Sequence, residues 1–136
     1  MFDTIAKNTL VPLVLRIALA AIFTYHGATL VSQDWGSNWM KEMPAPAPTP
    51  VQLAVAWGQL IGGIAMLLGF LTRLAALGLI AIMGGAIALV HWPHGFDIRQ
   101  GGYEYNCLII AACLALVLMG PGNVAVDRFF RLKHRQ

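Results

Sequence analysis

Four long apolar runs, separated by short polar or Gly/Pro-rich interruptions, organise this sequence. The first covers about 10–31, enough residues to cross a hydrocarbon core of about 30 Å as a helix. Thr9 stands where a helix cap belongs, and Pro12 falls in the expected first turn, where a missing N–H costs little. A signal peptide is the alternative for an N-terminal run led by Lys7. The run is too long for a signal core and shows no small-x-small cleavage site before Trp35, so a retained helix is expected. A polar connector follows, ending in Pro44-Ala45-Pro46-Ala47-Pro48-Thr49-Pro50. Alternating prolines favour polyproline II, which predicts a stiff strap. Thr49 as cap and Pro50 at the first helical position open the second run, about 51–71. Gly58, Gly62, Ala65 and Gly69 fall within about 60° of one another at helical pitch, a small-residue stripe against which a neighbouring helix can pack closely.

Thr72-Arg73 is almost the whole link to the third run, about 74–92, so runs two and three are expected to form a tight antiparallel hairpin. Gly78, Gly84 and Gly85 thin the third helix and Pro93 stops it. The segment from His91 to Asn106 gathers two histidines, Trp92, Tyr103, Glu104 and Tyr105 at the mouth of the fourth run, about 103–119. Gly120-Pro121-Gly122 ends that run, and a basic tail, 123–136, begins with Asp127 ahead of its cations.

Composition turns these runs into membrane spans. The sequence has 136 residues, 58% hydrophobic and 11% charged, and its mean hydropathy is +0.68. Soluble domains average about 25% charged residues, and so short a chain cannot hide that much apolar surface in a water-soluble core. The expected fold is all-α, an integral membrane four-helix bundle forming one domain over 1–136. Lys7, Arg73, Arg128, Arg131, Lys133 and Arg135 fall on one side of it, against only Lys41 and Arg99 on the other. That asymmetry predicts cytoplasmic N and C termini. The four tryptophans, with His91, His94, Asp97, Tyr103, Glu104 and Tyr105, then lie at the outer interface. The net charge of +3 is concentrated in the tail rather than spread over a face, which argues against nucleic acid as a partner. Cys107 and Cys113 would point about 240° apart on one helix, too far to bridge, and read as buried small residues. No Cys-x-x-Cys, haem-attachment motif or nucleotide loop occurs, so no bound metal or nucleotide is expected.

Several residues could carry chemistry, and each also has a structural use. Arg16, inside the first span, is either functional or a charge that snorkels or caps carbonyls of the hairpin. His26 near the outer end of that span can hydrogen-bond a quinone carbonyl or ligate a metal, or it can pack between helices. His91 and His94, with His26 and Glu104, have a loose spacing for zinc or copper, and serve equally as interfacial histidines. Glu104 suits the helix dipole as well as it suits proton transfer. Trp57, Tyr103 and Tyr105 are belt aromatics first and walls of a quinone slot second.

Arg16, His26-Gly27, Gly62-Gly63, Gly69-Phe70-Leu71-Thr72-Arg73, Ala86, His91, Gly102-Tyr103-Glu104-Tyr105, Gly120-Pro121-Gly122 and Asp127 stand in an order that resembles the DoxX family of small bacterial membrane proteins. The resemblance covers nearly the whole chain outside the strap. It implies a multi-pass protein of the bacterial inner membrane, associated with oxidoreductases and, through a thiosulfate:quinone oxidoreductase relative, with quinone. Two positions depart from the family pattern: Leu30 stands where relatives often carry lysine, and Gln59 about where many carry an acid. The resulting expectation is an outward-facing pocket in which Glu104 and His26 are catalytic and His91, Gln59, Trp57, Tyr103 and Arg16 hold a quinone. Membrane lipid, a redox enzyme and other copies of the chain are the expected partners. The alternative is a non-catalytic scaffold or small-molecule carrier that anchors a soluble protein.

Overall fold

The computed structural model describes residues 1–43 and 45–133. Pro44 of the strap and Arg135 of the basic tail lie outside them, as do the side chains of Arg131 and Lys133. Among the described residues the structure is helical, with no strand. Four apolar helices form the body: α1 (Phe2–Val31), α2 (Thr49–Leu68), α3 (Thr72–His94) and α4 (Glu104–Met119). A short amphipathic helix, α5 (Val126–Lys133), follows. Helix α1 packs on α2 and α4, and α3 packs on the same two, which closes a ring around one core. Leu19, Phe23, Met66, Leu79, Ile109, Cys113 and Leu116 fill that core.

The outer surface identifies the solvent. Ile61, Leu74, Leu108 and Leu118 are each more than 60% exposed. Helices that are apolar all round, with no water-soluble face, belong in hydrocarbon. Helices α1, α2 and α3 are long enough to cross it, whereas the 16 residues of α4 reach only about 24 Å.

Helix α1 begins eight residues before the expected start, and Thr9 caps nothing. Pro12 therefore sits inside the helix, where it deprives the Asn8 carbonyl of its usual donor. A wide π turn at Ala6–Leu10 accommodates the ring. The backbone N–H of Asn123 replaces the lost donor, reaching the Asn8 oxygen at 2.8 Å. A contact 115 positions away thus makes a mid-helix proline tolerable.

The link between α2 and α3 is Gly69-Phe70-Leu71, which begins three residues and ends two residues earlier than expected. Phe70 N–H bonds the Ala65 carbonyl and Gly69 N–H that of Met66, with Gly69 at φ 68°, an ordinary left-handed helix stop. Arg16 is 2% exposed and closes this end. Its Nε donates to the Met66 carbonyl and Nη2 to that of Leu67, both at 2.8 Å; Nη1 donates to the carbonyls of Pro121 (3.1 Å) and Val124. A Cβ on Gly69 would lie 2.6 Å from the guanidinium carbon, so only glycine fits. The start of α3 lacks a cap of its own. Asp127 of α5 supplies one, accepting from Leu71 N–H (2.6 Å) and Thr72 N–H (2.8 Å). One cation and one anion from distant segments therefore pin the hairpin.

The small-residue stripe behaves differently from expectation. Gly58 and Gly62 face side chains of α3, Ile82 and Leu79 respectively. Backbones approach most closely at Gly27 and Gly63 instead, between α1 and α2. A Cβ on Gly63 would stand 2.6 Å from the Thr24 nitrogen, and one on Gly27 would meet the backbone of Leu60 at 2.6 Å. Gly78, Gly84 and Gly85 have no neighbour within 4 Å of an added Cβ. Cys113 is buried as expected, but Cys107 is exposed on the outer face of α4.

Candidate functional site

At the end of the bundle opposite the hairpin, a cavity of about 680 Å³ opens between the helices. Pockets that bury small organic ligands have about this size. Its walls are apolar, from Ile22, Phe23, Val55, Ile82, Leu89 and Ile109 among others. Its roof is the connector, through Trp39, Met40 and Ala47. In the expected stiff strap Pro48 has polyproline-like backbone (φ −54°, ψ 146°) and Thr49-Pro50 already belong to α2; the stretch from Ser32 to Met43 folds into turns. Gln52 fastens it. Its Oε1 accepts from Met40 N–H (3.1 Å), its Nε2 donates to the Ala47 carbonyl (2.7 Å), and its backbone carbonyl accepts from Trp39 Nε1 (3.0 Å). Trp57 adds a second fastening, Nε1 to the Trp35 carbonyl at 3.0 Å.

Polar groups of His26, Gln59, His91, Tyr105 and Asn106 interrupt the apolar walls. Gln59 is 8% exposed and Asn106 5%. Among the described residues the Gln59 amide has no hydrogen bond, and Asn106 has one, from Nδ2 to the Met83 sulfur at 3.5 Å. Thioether sulfur is a weak acceptor, and a buried amide without a partner costs roughly 1–3 kcal/mol. Both groups are left to bond whatever enters the cavity. His91 is set by the loop below it, with Nδ1 2.6 Å from the Gly101 carbonyl. A carbonyl only accepts, so Nδ1 carries the hydrogen and Nε2 remains as the acceptor of the neutral ring. His26 is exposed at the cavity wall, edge-on to Tyr25.

Of the seven residues expected at the site, the structure brings His26, Gln59 and His91 to the cavity and leaves four elsewhere. Arg16 is at the hairpin end with its donors committed to backbone carbonyls. Trp57 holds the strap. Tyr103 stacks on Trp92, centroids 5.6 Å apart, and closes the loop rather than the cavity. Glu104 is exposed at the first turn of α4, accepting from Ile98 N–H at 3.2 Å; that position serves the helix dipole. The expected pocket of His26, His91 and Glu104 is therefore not formed. Two residues further along the helix is a turn of about 200°, so Asn106 rather than Glu104 faces inward. Nearby, Arg99 donates from its side chain and its backbone N–H to Asp97 and holds that carboxyl below the usual carboxylate range. Among the described residues no group of three or more His, Cys, Asp or Glu is arranged to hold a metal.

A family model described as DoxX matches residues 11–92, from the body of α1 to the end of α3. The chain belongs to the DoxX family. Similarity extends beyond the matched segment in three curated relatives. An uncharacterized protein of Haemophilus influenzae is 29% identical over 88% of this chain and 82% of its own length. Inner membrane protein YphA of Escherichia coli is 29% identical over 93% and 95%, and inner membrane protein YqjF of the same organism is 28% identical over 89% and 92%. No solved structure matches. With three helices of membrane-crossing length, this DoxX chain is a multi-pass protein of the inner membrane.

Asn106, Trp39 and Gln52 were not singled out by the sequence reading. For Asn106 a signal existed: it is a lone amide opening an apolar run, and polar groups at membrane depth need partners. Gln52 gave the same signal in α2. Trp39 gave none, because the fold of the connector decides its position.

Proposed function

We propose that this chain is a quinone-interacting subunit of a membrane oxidoreductase system, and that its cavity receives the quinone headgroup. The observation that carries this reading is the pair of buried amides, Gln59 and Asn106, under-used in an apolar cavity of about 680 Å³. A quinone ring is flat, uncharged and apolar apart from two oxygens, and such walls with a few convergent polar groups suit it. Amide N–H groups can donate to its carbonyls, while His26 and His91 can take up or release protons as the ring changes oxidation state. A partner enzyme of the dehydrogenase class supplies or removes the two electrons. The isoprenoid tail leaves through the exposed side of the bundle, where the neighbouring surface is hydrocarbon.

Titration of the detergent-purified protein with decylubiquinone, followed by tryptophan fluorescence, tests the reading, since Trp39 forms part of the roof. Saturable quenching is expected, and Gln59→Leu should weaken binding about fivefold, one hydrogen bond's worth. Absence of saturable binding, together with absence of quinone in solvent extracts of the purified protein, would refute it.

A further inference from the structure

The hydrogen-bond directions around the cavity go further than the presence of polar groups. The Gly101 carbonyl takes the Nδ1 hydrogen of His91, so neutral His91 offers a ligand the lone pair of Nε2 and nothing to donate. The Met83 sulfur takes one of the two Asn106 Nδ2 hydrogens; an acceptor-only sulfur fixes which end of the amide faces it and leaves Oδ1 as a free acceptor beside one remaining Nδ2 hydrogen. Both residues line the cavity. Gln59, without a protein partner among the described residues, can present either N–H or oxygen. The polar wall therefore holds one group that can only accept, the neutral His91 ring through Nε2, beside four that can both donate and accept, Asn106, Gln59, His26 and Tyr105.

We propose that the cavity discriminates by oxidation state, holding the dihydroxy (quinol) form of its ligand in preference to the dicarbonyl (quinone) form. This inference rests on the reading of the cavity as a quinone site. A quinol brings two O–H donors to the acceptors His91 Nε2 and Asn106 Oδ1. A quinone brings a carbonyl oxygen to the His91 Nε2 lone pair, which repels it, and keeps only the donors of the groups that serve both forms, Asn106, Gln59, His26 and Tyr105. Sites built around a hydroxyl discriminate because the form that lacks it leaves their polar groups unpaired. Preferential retention of the reduced form places the chain where quinol is released or handed on, with an upstream dehydrogenase supplying the electrons.

The test compares decylubiquinol, handled anaerobically, with decylubiquinone by fluorescence titration of the full chain. The quinol is expected to bind about tenfold more tightly, the equivalent of one to two net hydrogen bonds. His91→Phe should bring the ratio of the two affinities towards one, while Asn106→Leu and Gln59→Leu should weaken both ligands and preserve the ratio. Each ratio is measured on a single preparation, so partial unfolding of a variant cancels. Equal affinity, or tighter quinone binding, overturns the inference while leaving the quinone site standing. So does a ratio unmoved by His91→Phe. Failure of either ligand to bind overturns both readings together.

Discussion

Arg16→Met removes a side chain that joins the end of α2 to the turn after α4. Four backbone carbonyls, at Met66, Leu67, Pro121 and Val124, lose the guanidinium at once, and Met66 keeps the Gly69 N–H. Hydrogen bonds from a charged group contribute about 1.5–3 kcal/mol each, which sets a ceiling of roughly 6–12 kcal/mol. Two effects reduce it. The variant no longer carries the desolvation of a buried guanidinium, and water at the end of the bundle can reach some of the freed oxygens. A net loss of about 3–5 kcal/mol is expected, the range found when one partner of a buried charged contact is deleted. Arg16→Lys should recover less than half, because a single ammonium cannot reproduce a planar fork that reaches two segments. The measurement is reversible unfolding in mixed micelles, followed by far-ultraviolet circular dichroism. Insertion of α1 alone should improve in the same variant, since methionine enters the bilayer more readily than arginine; stability and insertion should thus move in opposite directions. Quinol and quinone affinity of the folded fraction should stay at the parent value, because Arg16 does not line the cavity. Unfolding of Arg16→Met within about 0.5 kcal/mol of the parent, the ordinary range for inconsequential surface changes, would refute the account.

Two further outcomes follow from contacts already described. Gly63→Leu drives a side chain into the backbone of α1 and should destabilise by at least about 3 kcal/mol. Gly62→Leu meets only the movable end of Leu79 and should cost about 1–3 kcal/mol, and Gly78→Leu, facing open space, almost nothing; equal effects at all three would refute this packing. For orientation, cysteines placed at Ser37 and Gln100 in a background lacking Cys107 and Cys113 should label from outside the cell and one at Asp3 only from within. Labelling of Asp3 from outside would reverse the topology argued from Lys and Arg.

The apolar runs and their Gly/Pro punctuation located all four helices, because hydrophobic length and backbone breakers are local properties. Where boundaries moved, a distant contact had moved them: Asn123 lets α1 run through Pro12, and Asp127 starts α3 at Thr72 without a local cap. His26, Gln59 and His91 were legible as neighbours because antiparallel helices bring positions near their ends to one depth. Rotation about the helix axis was not legible in a run apolar on every side, which is why Glu104 was expected inside and Asn106 was overlooked. Pairing of side chains with backbone across more than fifty residues, as at Arg16, leaves no periodic trace in a sequence.

The bond from Asn123 to Asn8 gives the molecule a timetable. Residue 8 leaves the ribosome 115 residues ahead of residue 123, so the first of the four helices enters the membrane with one carbonyl unanswered and waits until the other three have been made. Arg16 waits with it, since Met66 and Leu67 follow about fifty residues later and Pro121 and Val124 more than a hundred. The first of the four spans to be made is thus the last to be completed. A nascent protein released before the turn at Gly120 would carry all four apolar helices and still hold an unmatched cation and an open notch at Pro12, a defect visible to membrane quality control although every span is present.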